Sequence, residues 1–407
     1  VCPQAFCVRI PLKQEEHVMQ SDSQGLYAGA AFSLMRRIRG LRMYASSVYI
    51  TNKLVRAMSR SVKKAQEQYV LSTSVSCTQS DTETPVVAGD EAKETWAPIE
   101  ELHALGIAAA DTKRLRESGI FSIQGVLMQT HKDLGQIKGL SEAKVDKILD
   151  AARKHSQPGF MSGVAALERR QRIRRISTGC SDLDALLGGG IESMAITEVF
   201  GEFRSGKTQL CHTIAVTAQL DGSRVAYLDT EGTFRPEKIG PIAERYKLDP
   251  TTTLSRIAYA RAYTHEQQIE LLAAAAEQMS EKKFALLIID SLTALFRVDF
   301  TGRGELADRQ QKLGQHLASL AKLADEFNIA IFVTNQVMAQ VDGAAMFTAD
   351  PKKPIGGHIL AHASTTRLYL RKGRGNNRVA KIYDSPSLPE AEATFAVGEQ
   401  GVCDAEE

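Results

Sequence analysis

Gly201-Glu202-Phe203-Arg204-Ser205-Gly206-Lys207-Thr208 decides the fold of this 407-residue chain. The stretch fits G-x-x-x-x-G-K-[ST] without a gap, a pattern that ordinary residue frequencies produce about once in a hundred chains of this length. Its glycines let consecutive backbone N–H groups turn inward around a phosphate, where a side chain would block the approach. Lys207 would reach the β- and γ-phosphates, and the Thr208 hydroxyl would hold Mg²⁺. Met194 to Phe200 reads as a strand running into the loop. Lys207 to Leu220 reads as a helix whose positive N-terminal end faces the anion. The motif implies a bound nucleoside triphosphate.

Outward from the loop, strands alternate with amphipathic helices: Ala195–Phe200, Arg224–Asp229, Ala285–Asp290 and Ile329–Thr334. That alternation predicts an α/β fold, a P-loop NTPase core on a mostly parallel twisted sheet with helical crossovers. Leu286-Leu287-Ile288-Ile289 is continuously apolar, as a strand buried on both faces must be. Asp290 closes that run at the carboxyl edge, where such sheets bind ligands, and is the expected second magnesium residue. Glu231 follows the strand end Tyr227-Leu228-Asp229-Thr230. It either activates the attacking water or serves as a cap or ion-pair partner; spacing alone leaves both open. Asn335-Gln336 ends another strand, where a glutamine amide can bond a γ-phosphate and report its loss. A long Gly-, Ala- and Met-bearing segment follows to about Gly357. A second irregular stretch, Arg297 to Glu305, joins arginines and Phe300 between glycines. Such a loop suits a nucleic-acid backbone and its bases, or is simply a charged surface loop.

The bulk properties suit two or three domains with room for a real core. Net charge is only +2, so no overall polyanion bias is visible. The six cysteines are scattered without a Cys-x-x-Cys pair, which argues against a disulfide scaffold or zinc site. No apolar run approaches the ~20 residues that span a bilayer.

Residues 1 to about 95 differ from the rest. Between Ser23 and Gln66 there is no acidic residue, while nine arginines and lysines from Arg36 to Lys64 fall there. This stretch reads as an organelle-directing leader, a disordered tail, or sequence upstream of a true start at Met58. Residues 96–156 are compact and helical. Ile99, Leu102, Leu105 and Ile107 predict a short helix stopped near Gly106, and further helices are expected at Lys113–Ser118 and from Ser141 as N-cap to Ile148. Ile137-Lys138-Gly139-Leu140-Ser141 looks like the hairpin of a helix-hairpin-helix module, able to touch a nucleic-acid phosphate near Lys138, Lys144 and Lys147. A helical packing or docking domain fits equally. Residues 157–175 form a linker, basic in its second half, and the α/β core occupies 176–407.

Specific runs carry a resemblance. Gly190 to Glu198 leading into the P-loop, Tyr259-Ala260-Arg261-Ala262-Tyr263, Arg303 to Ala307, Pro351 to His358, Ala361 to Arg367 and Tyr383-Asp384-Ser385-Pro386 resemble the RecA-superfamily recombinases of archaea and eukaryotes. The resemblance covers residues 98 to 407. Gly190–Glu198, Arg297–Phe300 and Gly357–Leu360 look most like the meiosis-specific eukaryotic branch. Gln336–Met346 and Leu368–Arg371 look closer to the mitotic branch.

The resemblance implies a nuclear, DNA-dependent ATPase that forms a filament or ring, pairs single-stranded with homologous double-stranded DNA, and works with mediator proteins in recombination and repair. It implies ATP and Mg²⁺ on residues 201–209 (Gly201, Glu202, Phe203, Arg204, Ser205, Gly206, Lys207, Thr208 and Gln209), with Glu231 as catalytic carboxylate, Asp290 beside the metal and Gln336 as γ-phosphate sensor. Lys238 stands where the family usually has an arginine against the adenine. His362 and Asp384 to Pro389 would close the site of the next protomer. DNA contacts are implied for Arg297, Phe300, Arg303, Arg309 and Arg378, and for a second loop of about Val337 to Ile355 that carries Phe347. A Phe-x-x-Ala hook joins protomers in the family. Here it reads Phe160-Met161-Ser162-Gly163, so the phenylalanine anchor is kept and one methyl is lost, worth under ~1 kcal/mol. The intact loops and hook speak against a non-catalytic paralogue acting as mediator, and the helical module and hook against a hexameric helicase.

Overall fold

The computed structural model describes residues 96–156, 159–300, 302, 304–339 and 352–405. The leader, tail or Met58 start expected within residues 1–95 lies outside the described residues.

A helical module comes first. A 3-10 helix, Ile99–Leu105, ends at Gly106, whose left-handed φ of 86° an L side chain rarely adopts. Helices α1 (Ala109–Glu117), α2 (Ile123–Leu127), α3 (His131–Gly135) and α4 (Glu142–Ser156) follow. The two one-turn helices α2 and α3 lack the apolar periodicity that marks α4. They form because Ser122 and Thr130 cap them, each accepting from a backbone N–H three residues on. Ile99, Leu102, Leu115, Ile123, Val145 and Ile148 bury a core of the module's own. Gly139, at φ 87°, makes the turn between α3 and α4.

Helix α5 (Gly163–Arg170) and strand β1 (Arg175–Ile176) lead into the core. Its further strands are β2 (Ile191–Glu192), β3 (Ala195–Gly201), β4 (Arg224–Asp229), β5 (Ile257–Arg261), β6 (Phe284–Asp290), β7 (Ala330–Asn335), β8 (Val337–Ala339), β9 (Lys352–Pro354), β10 (Thr366–Lys372), β11 (Asn377–Asp384), β12 (Glu392–Gly398) and β13 (Gly401–Asp404). Between them lie helices α6 (Ser181–Leu186), α7 (Lys207–Thr217), α8 (Ile239–Arg245), α9 (Pro250–Ser255), α10 (His265–Glu281), α11 (Ala294–Val298), α12 (Leu306–Phe327) and α13 (Gly357–Ala363).

Among the described residues nine strands form one sheet in the order β13-β12-β11-β10-β3-β7-β6-β4-β5. From β10 to β5 every neighbour is parallel, and β10 to β13 is an antiparallel meander. Every residue of β6 is buried, as its unbroken apolar run requires. One face of the sheet packs on α7 through Leu210, Cys211, Ile214 and Ala215, and the other on α10 and α12 through Leu272, Leu317, Leu320 and Phe327. Helix α7 stops at Thr217, three residues short of the expected end, and Asn335 joins β7.

The helical module docks against the C-terminal end of α12. Phe121 belongs to the buried cluster around α10 and α12, and Trp96 meets Phe327 edge-to-face with ring centres 5.4 Å apart. Ser122 Oγ donates to Glu326, and Gln124 Nε2 to Asp325 Oδ2 at 2.9 Å. The basic linker is tied down by carboxylates and carbonyls: Arg169 holds Asp325, Arg175 holds Glu192, and Arg174 reaches the carbonyls of Phe284 and Asn328. No helix among the described residues is long and apolar enough to cross a membrane.

Candidate functional site

The parallel register brings the ends of four strands to one edge. Phe200 pairs with Asn335, Asp229 with Asp290, and Ile289 with Val333. Whatever follows β3, β4, β6 and β7 therefore converges there: the P-loop, Glu231, Ser291 and Gln336. They enclose a cleft of about 710 Å³, within the usual range for a small-molecule site. Residues 201–209, Glu231, Asp290, Thr334, Gln336, Val337 and Arg378 line it.

Two glycines let this loop take its shape. A Cβ on Gly201 would run into the Leu370 carbonyl of the neighbouring strand. Gly206 caps α7 at φ 100°, a left-handed turn that brings the loop into the helix at the edge of the cleft. Lys207 Nζ donates to the carbonyls of Gly201 (2.9 Å) and Glu202 (2.8 Å). Burial lowers the Lys207 pKa, with the carboxylates of Asp290 and Glu231 opposing the shift. An anion in the cleft would favour the charged lysine further.

Asp290 is buried and closely held. Its Oδ2 accepts from Thr208 Oγ1 at 2.8 Å and Thr233 Oγ1 at 3.2 Å, and its Oδ1 from Thr334 Oγ1 at 2.5 Å. Among the described residues no group of three or more His, Cys, Asp or Glu side chains could hold a metal by itself. The Thr208–Asp290 pair instead fits Mg²⁺, which keeps several waters and takes its remaining ligands from substrate phosphates.

Glu231 is exposed at the cleft rim. Gln336 Nε2 donates to its Oε1 at 2.6 Å. Behind each stands a residue that sequence reading missed. Asp229, fully buried, accepts the backbone N–H groups of Glu231, Gly232, Thr233 and Phe234 and takes Arg261 Nη1 at 2.9 Å. It fixes the turn that carries Glu231. Asn335 Oδ1 accepts from Gln336 N and Thr293 Oγ1, both at 2.8 Å, while its Nδ2 donates to Ile355 O at 2.7 Å and Glu198 Oε1 at 2.8 Å. Glu198 is itself buried against Arg367, 2.7 Å away. Another missed residue, His212, accepts the Arg235 N–H at 3.0 Å, and burial lowers its pKa. A carboxylate at the end of a buried strand was the available signal for Asp229. Glu198 lies mid-strand with none.

Lys238, His362, Asp384 and Pro389 do not line the cleft. Lys238 sits in the 3-10 turn Pro236–Lys238, His362 in α13, Asp384 at the end of β11 and Pro389 in the loop beyond it. Arg378 does line it: its Nε donates to the Arg204 carbonyl at 3.0 Å. Arg378 thus stands at the P-loop.

Arg297 is exposed on α11, Phe300 is half-buried against the core, and Arg309 is in the first turn of α12. Strands β8 and β9 pair as an antiparallel stem, and Ile355 N donates to Gln336 O at 3.0 Å. The second loop's stem therefore grows from the glutamine at the cleft. Arg303, Phe347 and the rest of residues 340–351 lie outside the described residues.

Phe160 is completely exposed at 112%, with Met161, Val164 and Leu167 exposed beside it. Ser162 caps α5 by accepting Ala165 N–H at 3.1 Å. At the far edge of the sheet, β5 pairs with β4 alone among the described residues. Ala226, Leu228, Ala258, Ala260, Leu271 and Ala275 line a cavity of about 70 Å³ there.

The sequence model of the Rad51 family matches residues 169–405, and that of the SAM-like helix-hairpin-helix tandem matches residues 103–154. A meiotic recombination protein DMC1 homolog of Arabidopsis thaliana is 57% identical over 324 residues, covering 78% of this chain and 94% of the relative. The meiotic recombination protein DMC1/LIM15 homolog of Homo sapiens is 55% identical over 326 residues, 78% of this chain and 96% of that one.

Proposed function

This chain belongs to the Rad51 family, and on that premise we propose that it is an ATP-dependent DNA strand-exchange recombinase of meiotic homologous recombination. The observation that carries the reading is the continuity from Glu231 through Gln336 into the β8–β9 stem. A residue that touches the hydrolytic carboxylate is also the base of a loop beside the cleft.

In this reading ATP is the substrate of the cleft. Lys207 and the loop amides hold its phosphates. Mg²⁺, carried by Thr208 and backed by Asp290, would neutralise charge on the phosphate oxygens. Glu231, aimed by the Asp229 turn, orients the attacking water and takes its proton. Arg378 and Arg204 add positive charge at the rim. With a γ-phosphate present, the Gln336 amide has an acceptor other than Glu231. Moving to it would shift the stem that begins one residue later, so nucleotide state reaches the second DNA loop. Arg297, Phe300, Arg303, Arg309, Arg378 and Phe347 are the proposed DNA contacts. Hydrolysis then chiefly releases DNA.

Assembly follows from two surfaces of one chain. Phe160 is too exposed to stabilise its own protomer, and the small residues around β5 leave room for an aromatic ring. Docking one on the other is head-to-tail, which propagates as a filament or closes as a ring. The exposed edge of β5 offers backbone groups to the docked segment. Lys238, and His362, Asp384 and Pro389 of the adjoining protomer, would complete the nucleotide site. The chain would act in the nucleus with mediator proteins.

The test is strand exchange with ATP, comparing wild type with Lys207→Arg and Phe160→Glu. Exchange should be lost in Phe160→Glu while the fold persists. Unchanged exchange in Phe160→Glu would sink the assembly argument.

A further inference from the structure

Before any DNA contact is made, the start of the first loop is already held in place. Asp299, the residue after α11, accepts the backbone N–H of His265 at 2.8 Å on Oδ2. The same oxygen lies 2.6 Å from His265 Nδ1, and Lys312 Nζ lies 3.1 Å from His265 Nε2. An ammonium can only donate, so Nε2 is the accepting nitrogen and Nδ1 carries the proton toward Asp299. Three elements, α10, α11 and α12, are thereby joined by one imidazole. The Phe300 ring packs into the same group, 4.8 Å from the His265 ring centre and 5.2 Å from Lys312 Nζ. The His265 side chain is only 9% exposed. This cluster lies apart from the ATP cleft, and none of its members lines it.

We infer that His265 is a positioning residue for the first DNA loop: by bridging Asp299 and Lys312 it holds Phe300 and the neighbouring Arg297 in a DNA-ready arrangement. The inference rests on reading Arg297 to Glu305 as a DNA-contacting loop. The reason it matters is entropic. A loop whose start is fixed pays less on binding, whereas a loosened one must be ordered at the expense of affinity. His265 touches no substrate and acts through Phe300 and Asp299. Its loss should therefore raise the DNA concentration needed without slowing the DNA-saturated enzyme. A purely structural role would lower stability and maximal rate together.

The probe is an oligo(dT) single strand titrated into the full chain, with ATP hydrolysis as readout. His265→Ala should raise the half-saturating DNA concentration by roughly fivefold, the scale expected for ordering one or two side chains. Its DNA-saturated rate should stay near wild type, while the thermal midpoint should fall only modestly from the lost buried contacts. His265→Asn, whose amide can replace Nδ1–H toward Asp299 but cannot reach Lys312, should show a smaller rise. In a Lys312→Met background, His265→Asn should add less than it does in the wild type. Unchanged half-saturation in His265→Ala overturns the inference, as does a loss confined to maximal rate and thermal midpoint. A fully additive His265→Asn effect in the Lys312→Met background also overturns it. If wild type itself shows no stimulation by oligo(dT), the DNA-loop reading falls and the inference with it.

Discussion

Gln336 Nε2 lies 2.6 Å from Glu231 Oε1, so the residue that would sense a γ-phosphate holds the carboxylate that would hydrolyse it. In this arrangement hydrolysis and sensing would compete for one amide. With the amide turned to another acceptor, Oε1 as well as Oε2 would be open to water.

That competition separates two substitutions. Glu231→Gln keeps an acceptor for the amide but removes the base, so hydrolysis should fall by about 10²–10⁴-fold while ATP-dependent filaments still form. Gln336→Ala leaves the base but severs the link to the β8–β9 stem. Its DNA-free hydrolysis should persist and the stimulation by single-stranded DNA should disappear. Paired ATPase assays with and without DNA, alongside electron microscopy of filaments, decide both. Retained stimulation in Gln336→Ala would refute the switch.

The hook yields an opposite pair. Phe160→Glu changes a side chain that buries nothing within its own protomer, so the thermal midpoint should not move while self-assembly is lost. Gly163→Ala should act the other way. Gly163 is the first residue of α5, and an added Cβ meets no atom within 4 Å. The methyl restricts the unfolded chain, worth about 0.4–1 kcal/mol, and restores a contact for the neighbouring protomer. Light scattering should show assembly at a lower protein concentration than wild type requires.

A pH effect is expected where the helical module meets the core. Burial raises the Glu326 pKa to about 7, against the opposing bond from Ser122, and the nearby Asp325 adds to the rise. A Cβ on Gly125 would come within 2.6 Å of its Oε1, so the carboxyl has little room for water. A carboxyl whose folded pKa exceeds its unfolded one favours the fold in its protonated form. Its contribution is complete below about pH 4.5 and is lost as pH rises through about 7. Glu326→Gln mimics the protonated acid. It should flatten the decline in thermal midpoint between pH 5 and pH 8 and gain up to about 2–3 kcal/mol at the alkaline end. Parallel pH–stability slopes for the two proteins would contradict this.

How far the sequence could carry the reading depended on whether a feature was local. Strand β6 was legible because burial on both faces forces an unbroken apolar run, and Asp290 because it ends that run. The P-loop was legible because its glycines answer a backbone demand within eight residues. The meander of β11 to β13 was not, because half-buried strands mix polar and apolar residues without a clean period. The module's α2 and α3 were too short to show periodicity. Asn335 was read as a strand end, yet its four partners come from β3, the β7 end and segments near residues 293 and 355. Only the fold brings those together. Phe300 was read as a DNA contact, and its packing on His265 depends on a helix that begins 35 residues earlier in the chain.

The network behind Gln336 supports a last prediction. Glu198 accepts from Arg367 Nε at 2.7 Å, Asn335 Nδ2 at 2.8 Å and Ser364 Oγ at 3.2 Å, all in a buried setting. Arg367→Met would leave a carboxylate uncompensated and should cost about 3–5 kcal/mol. Glu198→Met strands the guanidinium and the Asn335 amide together, and should cost at least as much. The double replacement removes both charges, so its loss should fall well short of the sum, with a coupling of about 1–3 kcal/mol. Its residual defect should then be functional. Asn335 Nδ2 keeps the Ile355 carbonyl but loses its anchor in β3, so DNA stimulation should weaken even where stability is recovered. Denaturant titrations of the four proteins give the coupling, and the ATPase assay gives the stimulation. Strictly additive losses would show that Glu198 and Arg367 do not act as one unit.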